Sequence, residues 1–168
     1  MKRSAADDED LTNKERENSL AQDHRLAVAE KQFGECAMKT QVEFRSAKFP
    51  PYEGEEEQIN PGLWGKRLAE YLVQKLSEKG IKTEGILVED WGYYIPVPNE
   101  ALKLAICCGH QNGDDDEFLC FTDPGTPVVK KFFKKIDATA QLSRLTEPLQ
   151  QILSSDPEIR DLVWTERR

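Results

Sequence analysis

A chain of 168 residues with 38% hydrophobic and 32% charged side chains has room for one domain and is leaner in apolar residues than an average globular protein. Its net charge of −8 argues against nucleic acid and anionic membrane surfaces, which require a basic stripe. No apolar run approaches the roughly 20 residues that span a bilayer, and no secretory h-region follows the N-terminus.

Residues 1–37 hold six Lys/Arg against nine Asp/Glu and little apolar material, the composition of a flexible polar tail, partly helical between Ser19 and Phe33. Residues 38–168 read as a single domain. Met38 to Phe44 alternates as a strand, with Val42 and Phe44 on one face and Gln41 and Glu43 on the other. Residues 46–59 are a loop, broken by Pro50-Pro51 and acidic from Glu53 to Glu57. A helix follows, with Asn60 as N-cap, Pro61 at its first position, and Leu63, Trp64, Leu68, Tyr71, Leu72 and Leu76 as the buried stripe. Gly80 ends it in the left-handed position, with Ile81 folding back on Leu76.

Four strands are predicted next: Gly85–Glu89, Gly92–Val97, Leu102–Cys108 and Glu117–Thr122. The turns between them are too short for parallel crossovers, so they form an antiparallel meander. Val128, Val129, Phe132, Phe133 and Ile136 recur at three and four as on an extra short helix, and a strand across the same residues is the alternative, which periodicity alone does not decide. A second helix spans Ala138–Leu153 behind Asp137, with a kink or break near Thr146 caused by Pro148. A last strand covers Ile159–Trp164. The order β-α-β-β-β-β-α-β implies an α+β two-layer sandwich, an antiparallel meander sheet with its helices on one face.

The missing h-region predicts a cytoplasmic setting, and the four cysteines, Cys36, Cys107, Cys108 and Cys120, have no C-x-x-C spacing, which predicts reduced packing thiols. Phosphate-loop, dinucleotide, serine-hydrolase and zinc-protease motifs are absent, so no cofactor is expected. Two constellations remain. The stretch Cys108 to Glu117 joins two strands and places Asp114, Asp116 and Glu117 beside His110, a set of hard oxygens and one imidazole suited to a divalent cation. Its spacing is not that of an EF-hand, and Asn-Gly and Asp are ordinary hairpin-tip residues. Cys108 and His110 share a strand face, the arrangement of a thiolate–imidazolium pair, though no third member is identified.

The second constellation is Glu89, Asp90, Trp91, Tyr93 and Tyr94. Trp91 and Tyr93 are read as one aromatic face, and such side chains make binding hot spots when they do not simply pack under a helix. The basic cluster Lys130, Lys131, Lys134 and Lys135 reads as a solvated face around Phe132 and Phe133. The helix carrying Trp64 and Tyr71 and the Glu89–Gly92 turn resemble those of small bacterial proteins, a likeness that carries no family, residue or activity. The sequence therefore points to an acidic, non-enzymatic protein-binding module of immunity, inhibitor or adaptor type, docking a basic protein partner. The alternative is an enzyme or metal-dependent module around His110 and Asp114–Glu117. Self-association through an open sheet face is a third option.

Overall fold

The computed structural model describes residues 38–167 apart from 101, 112, 127, 132 and 133, together with the backbone but not the side chains of 129–131 and 134–136. The proposed tail, 1–37, lies outside the described residues. Within 38–167 the chain forms β1 (Gln41–Arg45), α1 (Lys66–Glu78), β2 (Leu87–Glu89), β3 (Gly92–Val97), β4 (Leu104–His110), β5 (Glu117–Asp123), β6 (Val128–Lys131), β7 (Lys134–Asp137), α2 (Thr139–Ser155) and β8 (Arg160–Thr165). The main sheet runs β2-β3-β4-β5-β1-β8, with every neighbouring pair antiparallel. The meander β2 to β5 is therefore extended by the first and last strands of the fold, both of which the alternation predicted as strands.

Strand register sorts the sheet into two faces. One row crosses all six strands through Val88, Tyr93, Cys108, Cys120, Val42 and Trp164. It lies on the side that joins Leu68, Leu72 and Leu76 of α1 and Leu145, Leu149, Ile152 and Leu153 of α2 in the main core. The adjacent row, Leu87, Tyr94, Cys107, Phe121, Gln41 and Thr165, necessarily faces the other way, because successive side chains on a strand alternate.

Three expectations needed correction. The first helix begins at Lys66 instead of Pro61. Asn60 closes a turn onto Leu63 N–H, and the Trp64 carbonyl is taken by the His110 N–H at 2.6 Å, so the chain before Gly65 pairs with the end of β4 and cannot wind. The second helix runs unbroken from Thr139 to Ser155 with Pro148 inside it. Its buried stripe of Leu142, Leu145, Leu149, Ile152 and Leu153 holds both halves in line, and Thr146 bonds back to the Leu142 carbonyl at 3.0 Å. Residues 128–137 form the separate hairpin β6–β7, which settles the open choice in favour of strand. The predicted ends stand. Gly80 has φ +76° and Ile81 N–H reaches the Leu76 carbonyl at 2.9 Å, while the Asp137 carboxylate receives the Thr139 N–H at 2.8 Å.

Candidate functional site

At the end of β4 the imidazole of His110 is only 5% exposed and stacks on the Trp64 indole, with ring centroids 3.5 Å apart and planes 9° from parallel. Its Nδ1 lies 2.9 Å from the Gly62 carbonyl and its Nε2 3.1 Å from the Asp114 carbonyl. Each ring nitrogen faces a main-chain carbonyl, to one of which a neutral imidazole donates, and the ring sits between the pre-helix loop and the loop after β4. Cys108 is on the same face but buried in the core opposite Cys120.

The acidic loop after β4 is built around cations of the protein's own. Arg45, at the end of β1, reaches Asp114 at 3.0 Å, Asp116 at 2.9 Å and also Glu117. Arg160 of β8 takes the other oxygen of Asp116. Asp114, Asp116 and Glu117 are brought together as the sequence suggested, but their carboxylates are shared between two guanidiniums. Among the described residues no group of three or more His, Cys, Asp or Glu side chains is placed to hold a metal ion.

The β2–β3 hairpin splits the predicted aromatic cluster between faces. Tyr93 is 1% exposed under α1 and donates its hydroxyl to Glu55 at 2.8 Å, so it packs as the ordinary reading held and does not reach the surface. Burial and that carboxylate raise its hydroxyl well above the usual tyrosine range. Tyr94 points to the open face, where its hydroxyl meets Asp123 at 3.3 Å. Burial first, then Asp123, push it up to about 12. Trp91 sits at the turn and contacts Phe121 of β5, centroids 5.6 Å apart. That contact crosses β4, and Gly109, which follows Cys107 by two on that face, has no side chain to obstruct it. The Arg167 guanidinium lies 3.9 Å from the Phe121 ring centre. Trp91 is 39%, Leu87 50% and Val88 49% exposed, three large apolar side chains within five residues. Glu89 and Asp90 between them are exposed as well.

Glu55 is the residue that sequence reading misplaced. It was part of an acidic surface loop, yet it is 2% exposed. Its Oε1 accepts from Gly65 N–H at 2.7 Å, Lys66 N–H at 2.7 Å and the Tyr93 hydroxyl, and its Oε2 accepts from Tyr52 N–H at 2.8 Å. The carboxylate therefore occupies the N-terminus of α1, where unpaired N–H groups and the helix dipole favour an anion. Burial raises its pKa, but the N–H groups of Tyr52, Lys66 and Gly65 and the Tyr93 hydroxyl outweigh that, and the net value is lowered.

The tight approach of backbones here depends on glycine. A Cβ on Gly65 would stand 2.8 Å from the Gly109 Cα, and one on Gly92 would stand 2.7 Å from the Cys108 carbonyl. The repeated Trp-Gly pairs, Trp64-Gly65 and Trp91-Gly92, are the sequence trace of this junction. No protein-family model, curated protein or solved structure matches the chain.

Proposed function

We propose that the protein is a non-enzymatic binding module that docks a basic segment of a protein partner on the β2–β3 hairpin. The observation that carries the reading is the exposed pair Leu87 and Trp91 on the open face of the hairpin, flanked by Glu89 and Asp90, with Val88 exposed on the other face. Single exposed apolar residues are ordinary. A contiguous patch rimmed by charge is the composition of an interaction site. Trp91 supplies a large, rigid anchor steadied by Phe121, and Tyr94 extends the same face. The two carboxylates and the net charge of −8 steer a cationic partner toward it. β2 is an edge strand, so the patch is open on its outer side.

The proposed setting is the cytosol, where buried thiols such as Cys107, Cys108 and Cys120 stay reduced. The alternative built on His110 and the Asp114–Glu117 loop gains nothing from geometry in which those groups are already engaged. No helix among the described residues is long and apolar enough to cross a membrane.

The test is affinity capture with the full chain as bait beside its Trp91→Ala and Leu87→Ser variants. The expected result is a basic protein held by the unaltered chain, released as salt rises, and lost from both variants. A Glu158→Gln bait, altered far from the hairpin in sequence and on the opposite helix-side loop, retains it. Equal retention by all baits contradicts the assignment.

A further inference from the structure

The two edges of the main sheet are not alike. β8, at one edge, carries a register shift against β1 between Glu43 and Arg45 and a positive φ of +56° at Asp161. Irregularities of this kind keep a further strand from adding to an edge. β2, at the other edge, pairs with β3 in unbroken register, and no described strand lies on its outer side.

Hairpin geometry fixes which main-chain groups that outer side presents. Glu89 and Gly92 flank a two-residue loop, so they are the hydrogen-bonded pair that closes it. Bonded and non-bonded pairs alternate along an antiparallel ladder. Leu87 therefore bonds Tyr94, and the N–H and C=O of Val88 point outward, away from β3. The side chains at this edge are uncovered on both faces. Leu87 is 50% exposed on the open face and Val88 49% exposed on the helix-side face. A partner lying on one face covers one of them. A strand added along the edge covers both, because its own side chains alternate between the faces.

Charge selects the occupant. Glu89 and Asp90 are exposed, and neither carboxylate has an ion pair among the described residues. Pairing β2 with a second copy of itself about Val88 sets each Glu89 opposite a Leu87 and supplies no cation. An extended segment with adjacent apolar residues and a flanking Lys or Arg satisfies the edge, both faces and the carboxylates together.

We infer that the partner docks by strand addition, such a basic segment pairing antiparallel with β2 and exchanging main-chain hydrogen bonds with Val88. Strand addition rests on the docking role proposed for the hairpin and adds to it the mode of docking and the class of segment bound.

The experiment titrates the full chain with the capped peptide acetyl-Lys-Lys-Val-Ile-Thr-amide, followed by backbone amide chemical shifts. Its valine is placed to face Val88, its isoleucine Leu87 and a lysine Glu89. Two isomers each carry one N-methyl group, on the valine or on the isoleucine nitrogen. The first lacks the N–H that the Val88 carbonyl accepts, and the second lacks one that points away from the sheet. The expected result is saturable shifts centred on residues 86–92, with a Kd of about 1 mM or tighter. The valine-methylated isomer binds about tenfold more weakly or worse, having lost a hydrogen bond and gained a methyl at the contact. The isoleucine-methylated isomer binds like the parent, and Glu89→Gln weakens the parent by about two- to fivefold, the effect of one exposed ion pair. Equal binding of the two isomers at the hairpin overturns strand addition and leaves the docking face standing. Absence of saturable shifts, or shifts centred elsewhere, overturns both.

Discussion

Removing the Glu55 carboxylate tests how the pre-helix junction is held. In a Glu55→Ala variant, four accepted hydrogen bonds disappear, three of them to main-chain N–H groups. The Gly65 N–H and the Tyr93 hydroxyl lie in buried surroundings and are left without an acceptor. Each such orphan costs about 1–3 kcal/mol, and the loss of an anion from a helix N-terminus adds about 0.3–1 kcal/mol. The expected destabilisation is about 3–5 kcal/mol, read as a lower urea midpoint at unchanged slope. Glu55→Gln keeps one acceptor oxygen but turns an N–H₂ toward one of the donors, and should cost about half as much. The pH dependence has a definite sign. The folded pKa of Glu55 is lowered from the ordinary value of 4.5, so its contribution is complete above that value and is lost as the pH falls through the folded pKa. The gap between the unaltered protein and Glu55→Gln should therefore narrow in acid. A loss below about 1 kcal/mol for Glu55→Ala, or a gap that widens in acid, would refute the reasoning.

Three further outcomes follow from particular contacts. Gly65→Ala forces a Cβ to 2.8 Å from the Gly109 Cα, whereas Gly109→Ala meets nothing closer than 3.4 Å. The first should cost about 1–3 kcal/mol by overpacking and the second much less in thermal melts, and the reverse order would contradict the close approach. Pro148→Ala restores the N–H that the Arg144 carbonyl lacks within an unbroken helix. It should raise the melting temperature, with up to about 3 kcal/mol available, and a fall would show that the ring itself is needed. Arg45→Ala leaves Asp114 and Glu117 without their guanidinium, so amide exchange in residues 110–117 should quicken while the core strands keep their protection. Unchanged exchange there would mean the ion pairs do not order the loop.

The strands were legible because both faces of this sheet leave a mark on composition. Val42 and Phe44 alternate with polar neighbours, and β4 is apolar from Leu104 to Cys108 because even its outward Cys107 is covered, being 1% exposed. The Gly80 and Asp137 signals worked because they act within one turn of chain. What could not be read was long-range. Nothing local says that Glu55, in a run of exposed acids, is the one that enters the N-terminus of α1 ten residues later. Nothing local says that the Trp64 carbonyl is needed by His110, which delays the helix. Trp91 and Tyr93 have the spacing of one strand face, but Trp91 is in the turn and not in the strand, so alternation did not apply to it. The acidic loop suggested a cation because the sequence distance between Arg45 and Asp114 hides their contact across β1 and β5.

Photo-crosslinking from the hairpin tests the docking proposal most directly. A benzophenone-bearing residue replaces Leu87 in the full chain, and in a control it replaces Gln150, which is exposed on α2. The docking account predicts an adduct with one protein bearing a basic segment, formed from position 87 and not from 150, and suppressed by Trp91→Ala. No adduct from position 87, an equal yield from both positions, or an adduct with a second copy of this chain alone would contradict it.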